Sequence, residues 1–263
     1  MKNNCFVSLV CLIFSALYYG CVISDDSSFS DVSEQLSERE QLMYSKDIMF
    51  FSQDFHLACR YKDPVEPYLD TLSNLSLNRL SDDLNTQDDK LAFWINIYNS
   101  LVQSKIILDQ KSFENKDVFF KSKDLKFGGT NISLDDIEHG ILRGKVFGND
   151  FVDTFKLDSL DNRIHFTMNC GAHSCPAIAY YKPSEINEQL LLAENVFTLA
   201  NSSYDSVSNV LLTSELFSWF REDFNGENGI INIMKINGVV PEHVYPEIKY
   251  EAYNWGLKPM NYK

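Results

Sequence analysis

Apolar residues recur at helical spacing through the first half of the chain. They predict a helix over Glu34–Arg60, which Pro64 closes, and a shorter helix over Val65–Leu75. The most apolar stretch, Leu91–Leu108, carries large hydrophobic side chains on nearly every face. Because a helix that is hydrophobic all round is buried, this stretch predicts a helix inside the core.

The second half of the chain predicts shorter elements of both kinds. In chain order these are a hairpin over Leu125–Ile132, a helix after the cap Ser133, a strand over Ile164–Met168, a helix from Pro183 to Ala200, a strand over Ser206–Thr213, helices over Glu215–Phe224 and Ile230–Ile236, and a strand in the tail with Tyr250, Tyr253 and Trp255. Helices dominate, and the small sheet lies mostly after residue 115. The predicted fold class is α+β, a helix-rich single domain with a small β-sheet.

The N-terminal residues have the pattern of a secretory signal. Lys2 precedes an apolar stretch, Phe6–Leu17, that is too short to span a membrane with ordinary flanks. Cys21 ends this region as the lipid-attachment cysteine does in bacterial lipoproteins. We therefore predict an exported, membrane-anchored lipoprotein of the cell envelope, with a secreted or periplasmic soluble protein as the alternative. The predicted parts are a signal peptide at 1–20, a tether at 21–33 and one globular domain at 34–263.

The net charge limits the classes of binding partner, and the number of cysteines limits how they can pair. A net charge of −14 argues against nucleic-acid binding, because the phosphates would be repelled. No cofactor is expected, the membrane is a predicted partner through the lipid anchor, and the sequence identifies no protein or ligand partner. With the cysteines of the signal and anchor set aside, Cys59, Cys170 and Cys175 remain. Export permits disulfides, and the odd number leaves one thiol free unless chains pair.

One run, Arg163–Pro176, concentrates residues with reactive side chains. Its sequence, RIHFTMNCGAHSCP, holds two of the five histidines and two of the six cysteines. Its first half predicts a strand, on which His165 would lie on the polar face while Cys170 faces apolar neighbours. A turn at Gly171 would return Cys175 toward His165. Cys175 is therefore the predicted nucleophile, and Cys170 the poorer one.

Two asparagines lie on one stripe of the predicted buried helix. Asn96 and Asn99 are three positions apart, so their amides need partners inside the core. One interpretation is that they bond to neighbouring backbone groups. The other is that one amide orients a histidine or donates to an oxyanion.

The segment after Ser133 also carries titratable side chains at helical spacing. Asp135, His139 and Arg143 lie four residues apart, which is typical of an exposed ladder of ion pairs. The alternative makes His139 a general base, with Glu138 or Asp135 setting its tautomer.

Several segments together resemble a known family, the domain of unknown function 547. They are AFWINIYN (Ala92–Asn99), IEHGILR (Ile137–Arg143) and RIHFTMNCGAHSCP (Arg163–Pro176), followed by ELFSWFREDF (Glu215–Phe224) and YNWGL (Tyr253–Leu257). The resemblance extends from Lys62 to Leu257 and implies a domain rather than a reaction, since the family name records no general activity. His173 departs from the family pattern at its loop position.

The segment Arg163–Pro176 has two main functional interpretations. The first is a thiol hydrolase or acyl transferase, which resembles papain-like and transglutaminase-like enzymes in residue types alone. Its predicted residues are Cys175 as nucleophile, His165 or His139 as base, and Asn96, Asn99 or Glu138 as the orienting group. The second is a binding or scaffold lipoprotein, in which a Cys170–Cys175 disulfide shapes a recognition loop.

Two further alternatives use the same histidines. His165, Cys170, His173 and Cys175 are ligand types that zinc prefers, but their spacing matches no standard zinc knuckle. Catalysis without a cysteine would rely on His139 with Glu138.

Overall fold

The computed structural model describes residues 47–145 and 148–262. The helices are α1 (Ile48–Tyr61), α2 (Glu66–Asn74), α3 (Leu77–Asp83), α4 (Gln87–Leu108), α5 (Lys116–Lys121), α6 (Asp150–Phe155), α7 (Ile186–Ala200), α8 (Leu216–Trp219) and α9 (Gly226–Ile236). A π-helix spans Asp136–Leu142, and short 3-10 helices span Gln110–Glu114, Asn162–Phe166 and Pro183–Glu185. The strands are β1 (Leu125–Phe127), β2 (Thr130–Ile132), β3 (Ser202–Asp205), β4 (Val210–Ser214) and β5 (Glu247–Glu251).

The predicted buried helix is α4, and it runs through the main core. Thr86 and Asp89 bond reciprocally to each other's backbone N–H groups, which caps the helix and starts it at Gln87. Trp94 is fully buried, and its ring contacts Phe127 and Phe155 with centroids 5.4 and 5.7 Å away. Each such aromatic side chain stabilises the fold by roughly 1.5 to 3 kcal/mol through burial.

The strands form two separate small sheets. β1 and β2 are the predicted hairpin, and both glycines of its turn, Gly128 and Gly129, have positive φ. In the second sheet β4 lies in the middle, antiparallel to β3 and parallel to β5. A second apolar cluster, built from α7, α8, α9 and this sheet, contains Phe166, Phe197, Phe217 and Phe224. The α+β, helix-rich class is confirmed.

The predicted strand over Ile164–Met168 is wrong. Asp161 accepts a hydrogen bond from the backbone N–H of Arg163 and pairs with its guanidinium, which starts the 3-10 helix Asn162–Phe166 instead. Thr167 then bonds back to the carbonyl of Ile164. Ile164, His165, Phe166 and Thr167 are all buried in succession, so side chains do not alternate between two faces here.

The structure corrects other boundaries of the predicted elements. The strand predicted over Ser206–Thr213 begins only at Val210, because residues 206–209 form the turn from β3. Only Leu216–Trp219 of the helix predicted to Phe224 is α-helical. In the tail, Tyr250 lies in β5, whereas Tyr253 and Trp255 lie beyond its end.

Several predictions fall outside the described residues. The signal peptide at 1–20, the tether at 21–33 and Cys21 all lie before residue 47, as does the first part of the helix predicted over Glu34–Arg60. Among residues 47–145 and 148–262, no helix combines the length and the apolar character needed to cross a membrane.

Candidate functional site

A cavity of about 260 Å³ brings several predicted site residues together, and we call it the aromatic cavity. Its walls include Phe120, Trp219, Phe220, Tyr253 and Trp255. Its polar side chains are Tyr98, Lys116, Asp117, Lys121, Asp135, Glu138, His139 and His165, with Cys170 beside them. Six separate segments of the sequence therefore meet at one site.

The segment after Ser133 enters the site as a π-helix rather than the predicted α-helix. The predicted cap is confirmed, since Ser133 and the Asp136 carboxylate bond to each other's backbone N–H groups. The N–H of Arg143 then bonds to the carbonyl of Glu138, five residues back. Adjacent residues Glu138 and His139 both line the cavity. Wide turns of this kind occur frequently at functional sites.

His165 is held by a carboxylate that the sequence analysis missed. Its Nε2 atom lies 2.9 Å from Oδ2 of Asp223, which also accepts a 2.6 Å hydrogen bond from Nε of Arg143. The imidazole stacks on Phe220 with ring centroids 3.9 Å apart. Because the ionised carboxylate only accepts, Nε2 carries the proton and Nδ1 is the basic nitrogen of the neutral ring.

The Nδ1 atom of His165 is the unusual feature of this arrangement. It is buried and has no hydrogen-bond partner within the described part of the chain. Burial lowers the pKa of His165, although the hydrogen bond to Asp223 works in the opposite direction. Burial alone would raise the pKa of Asp223, but the hydrogen bonds from His165 and Arg143 hold it well below its usual range. The result is a neutral histidine beside an ionised carboxylate.

His139 is engaged at both ring nitrogens. Arg143 donates to its Nδ1 atom at 3.0 Å, and its Nε2 atom lies 3.5 Å from Oδ1 of Asp135. The predicted ladder of Asp135, His139 and Arg143 therefore forms, and two of its members, Asp135 and His139, line the cavity. Donation by Arg143 to Nδ1 places the proton of the neutral ring on Nε2, the nitrogen that faces Asp135. His139 is consequently less suited than His165 to act as a base.

Glu138 is held by a tyrosine of the buried helix α4. The hydroxyl of Tyr98 donates to Oε2 of Glu138 at 2.7 Å. Burial and the negative charge of Glu138 raise the pKa of Tyr98, so the hydroxyl stays protonated. Burial likewise raises the pKa of Asp135, although the neighbouring His139 opposes this effect. Tyr98 lies inside the AFWINIYN segment, and only this position in the sequence indicated that it could be a site residue.

The two asparagines of α4 bond to backbone rather than to the cavity. Asn96 donates to the carbonyl of Tyr181 and accepts from its N–H, both at 2.8 Å. Asn99 donates to the carbonyl of Thr167 at 3.0 Å and accepts from the N–H of Asn169 at 2.8 Å. The first interpretation of these amides therefore describes the geometry, and a catalytic role for either one finds no support here.

The two cysteines of the motif form a disulfide, with Cα atoms 6.1 Å apart. Gly171 follows Cys170 with a φ of 86°, a conformation that suits glycine alone. Cys170 lines the aromatic cavity together with His165. Cys175 lines a second cavity of about 340 Å³ on the other side of the loop. Cys170, the predicted poorer nucleophile, shares the aromatic cavity with the histidine, whereas Cys175 is bonded to Cys170 and is not among the described side chains that line this cavity.

The remaining candidates for metal binding do not meet. His173 lines the second cavity, away from His165, and the disulfide occupies both sulfurs of the motif. Within residues 47–145 and 148–262, no three histidine, cysteine or acidic side chains form a cluster able to hold a metal ion. Cys59 is free and buried, and burial raises the pKa of its thiol to about 12.

A family comparison agrees with the motifs that build this site. The family model described as "Protein of unknown function, DUF547" matches residues 81–197, which include Tyr98, Glu138, His165 and both cysteines of the disulfide. Residues 81–197 of the chain therefore belong to a DUF547 domain. Comparisons with curated proteins and with solved structures found no match. In this DUF547 protein, Asp223 and Tyr253 complete the site from outside the matched region.

Proposed function

We propose that this DUF547 protein is exported, anchored to the cell envelope by a lipid on Cys21, and binds a ligand in the aromatic cavity. The N-terminal apolar stretch followed by Cys21 supports export and anchoring. The observation that carries the binding function is the cavity itself, which combines aromatic walls with buried, oriented polar groups. Such a combination is typical of ligand sites in proteins.

The aromatic wall at this site is partly open to solvent. Trp219, Tyr253 and Trp255 pack against one another with ring centroids 4.8 to 5.6 Å apart. Trp219 and Trp255 are nevertheless 44% and 41% exposed. Indole and phenol rings in such positions offer flat apolar surface and attract cations to their faces.

The charges in the cavity indicate the chemistry of the ligand. The two lysines are already engaged, since Lys121 pairs with Asp117 at 2.6 Å and Lys116 contacts the carbonyl and ring of Phe113. Glu138, in contrast, accepts from the neutral Tyr98 and lies 3.9 Å from His139. Asp135 lies 3.5 Å from His139 and also interacts with the charge of Lys121. We expect a ligand with a flat apolar part and a positively charged hydrogen-bond donor, such as an amine or guanidine group.

Benzamidine and benzamide test this proposal, because they share a ring and differ in charge. We expect benzamidine to bind about fivefold more tightly, since a partly exposed ion pair contributes about 1 kcal/mol. Glu138→Gln should remove most of this difference while still accepting from Tyr98. Titration of tryptophan fluorescence provides the measurement, with Glu188→Gln on the exposed face of α7 as the matched control. Equal affinity for both probes, or no saturable binding, would contradict the proposal.

The lipid anchor has its own test in a bacterial host. Cells fed an alkyne-bearing fatty acid should label the protein, and Cys21→Ala should abolish that label. Cys59→Ala is the control, because a buried thiol inside the domain should leave the label unchanged. A fully labelled Cys21→Ala protein, or an unlabelled protein of unchanged sequence, would rule out anchoring through Cys21.

A second candidate function is the thiol hydrolase or acyl transferase. The free Nδ1 atom of His165, oriented by Asp223, favours it because this is the arrangement of a general base. The bridge would have to be reduced, and Cys170 rather than Cys175 would then be the nucleophile beside the base. Alkylation of Cys170 by iodoacetamide in the unreduced protein would support this candidate. Alkylation only after reduction would remove it for the oxidised protein.

A further inference from the structure

The two sulfurs of the disulfide face different surroundings. Cys170 is half-buried and lines the aromatic cavity, whereas Cys175 is only 6% exposed. In thiol–disulfide exchange the attacking thiolate needs access to one sulfur, and the other sulfur leaves. A thiol in the aromatic cavity would therefore attack Cys170 and release Cys175.

Cys175 is surrounded by hydrogen-bond donors. The backbone N–H groups of Cys170 and Ala172 point at its Sγ atom from 3.1 and 3.3 Å, and the hydroxyl of Tyr253 donates from 3.1 Å. The same hydroxyl lies 3.3 Å from Sγ of Cys170, so it is within reach of both sulfurs. Burial raises the pKa of Tyr253, which keeps this donor protonated. These groups are placed to stabilise a thiolate on Cys175, and a stabilised thiolate leaves faster.

The cavity also contains an acceptor for the proton of the incoming thiol. His165 and Cys170 both line it, and the basic Nδ1 atom of His165 has no hydrogen-bond partner among the described residues. Asp223 holds the opposite nitrogen and stabilises the imidazolium that forms when Nδ1 takes a proton. The buried Nδ1 atom of His165 is thus placed to accept the proton of the incoming thiol.

We propose that the Cys170–Cys175 bridge is a redox-active disulfide that exchanges with thiol ligands in the aromatic cavity. The ligand thiol gives its proton to His165, and its sulfur bonds to Cys170 while the Cys170–Cys175 bond breaks. Cys175 takes the electron pair as a thiolate. With a dithiol ligand, the second ligand thiol displaces Cys170, so the ligand is oxidised to a disulfide and the protein is reduced by two electrons. A disulfide-containing partner restores the bridge by the reverse exchange.

This inference rests on the proposed function in one respect, namely that the aromatic cavity admits a ligand. It does not need the ligand to be cationic. Failure of benzamidine binding would leave exchange with a small thiol intact, and failure of exchange would leave benzamidine binding intact. The two proposals are therefore separable by experiment.

The first test measures how fast glutathione reduces the bridge in the full-length protein. Samples are quenched with iodoacetamide and analysed by mass spectrometry. We expect Tyr253→Phe to slow reduction about 3- to 10-fold, because it removes one donor from the leaving thiolate. Tyr250→Phe is the matched control, since the hydroxyl of Tyr250 has no hydrogen-bond partner within the described residues. Equal rates for the two variants would overturn the assigned role of Tyr253.

A second test does not depend on Tyr253. Cys175→Ser and Cys170→Ser both lack the bridge, so each leaves one of the two thiols free for comparison. Oxidised glutathione should form a mixed disulfide with Cys170 in the first variant at least about tenfold faster than with Cys175 in the second, because Cys170 is half-buried whereas Cys175 is only 6% exposed. Equal rates, or rapid alkylation of both cysteines before any reduction, would overturn the inference.

Discussion

Asp223→Ala is expected to lower the free energy of unfolding by about 3 to 5 kcal/mol, because it leaves a buried charge without its partner. The Asp223 side chain is 3% exposed and accepts hydrogen bonds from both His165 and Arg143. Lys145 lies 3.7 Å from its other oxygen. Removing this carboxylate therefore leaves the guanidinium uncompensated and frees the imidazole to rotate.

Urea unfolding followed by circular dichroism measures this effect. Asp223→Asn should cost less than the alanine variant, since the amide oxygen still accepts one of the hydrogen bonds. Glu242→Ala, at an exposed acidic position, is the control and should change stability by less than about 0.5 kcal/mol. A loss below about 1 kcal/mol for Asp223→Ala would show that this network does not hold the site together.

Asn96→Ala should be almost as damaging, with an expected loss of about 3 to 5 kcal/mol. Its amide satisfies the N–H and the carbonyl of Tyr181, and all three groups are buried. Each buried backbone group left without a partner costs roughly 1 to 3 kcal/mol, and the lost side chain also leaves a small cavity.

Thermal and urea unfolding provide the measurement for this variant as well. Asn74→Ala is the matched control, because Asn74 is an exposed residue at the end of α2 whose amide bonds only within its own helix. If Asn96→Ala kept full stability but changed ligand binding, the amide would act on the cavity rather than on the backbone. That result would favour the interpretation of Asn96 as an orienting group.

The sequence predicted the structure best where the residues in contact are close together along the chain. The cap of Ser133 and Asp136 and the turn at Gly128 and Gly129 are formed within a few residues, and both are confirmed. The strand predicted over Ile164–Met168 failed because the Asp161 side chain starts a 3-10 helix there and every side chain from Ile164 to Met168 is buried. Burial on every side removes the alternation from which a strand is predicted.

The sequence by itself determined the DUF547 family, the α+β class, the buried helix α4 and the segments that carry His165, Glu138 and the cysteines. These features depend on composition and on spacing along the chain. Only the tertiary structure decided that Asp223 orients His165 across 58 positions, that Tyr253 donates to Cys175, and that Cys170 shares the cavity with the histidine. The reason is physical: hydrogen bonds between distant side chains depend on how the helices pack, and no periodicity in the sequence records that geometry.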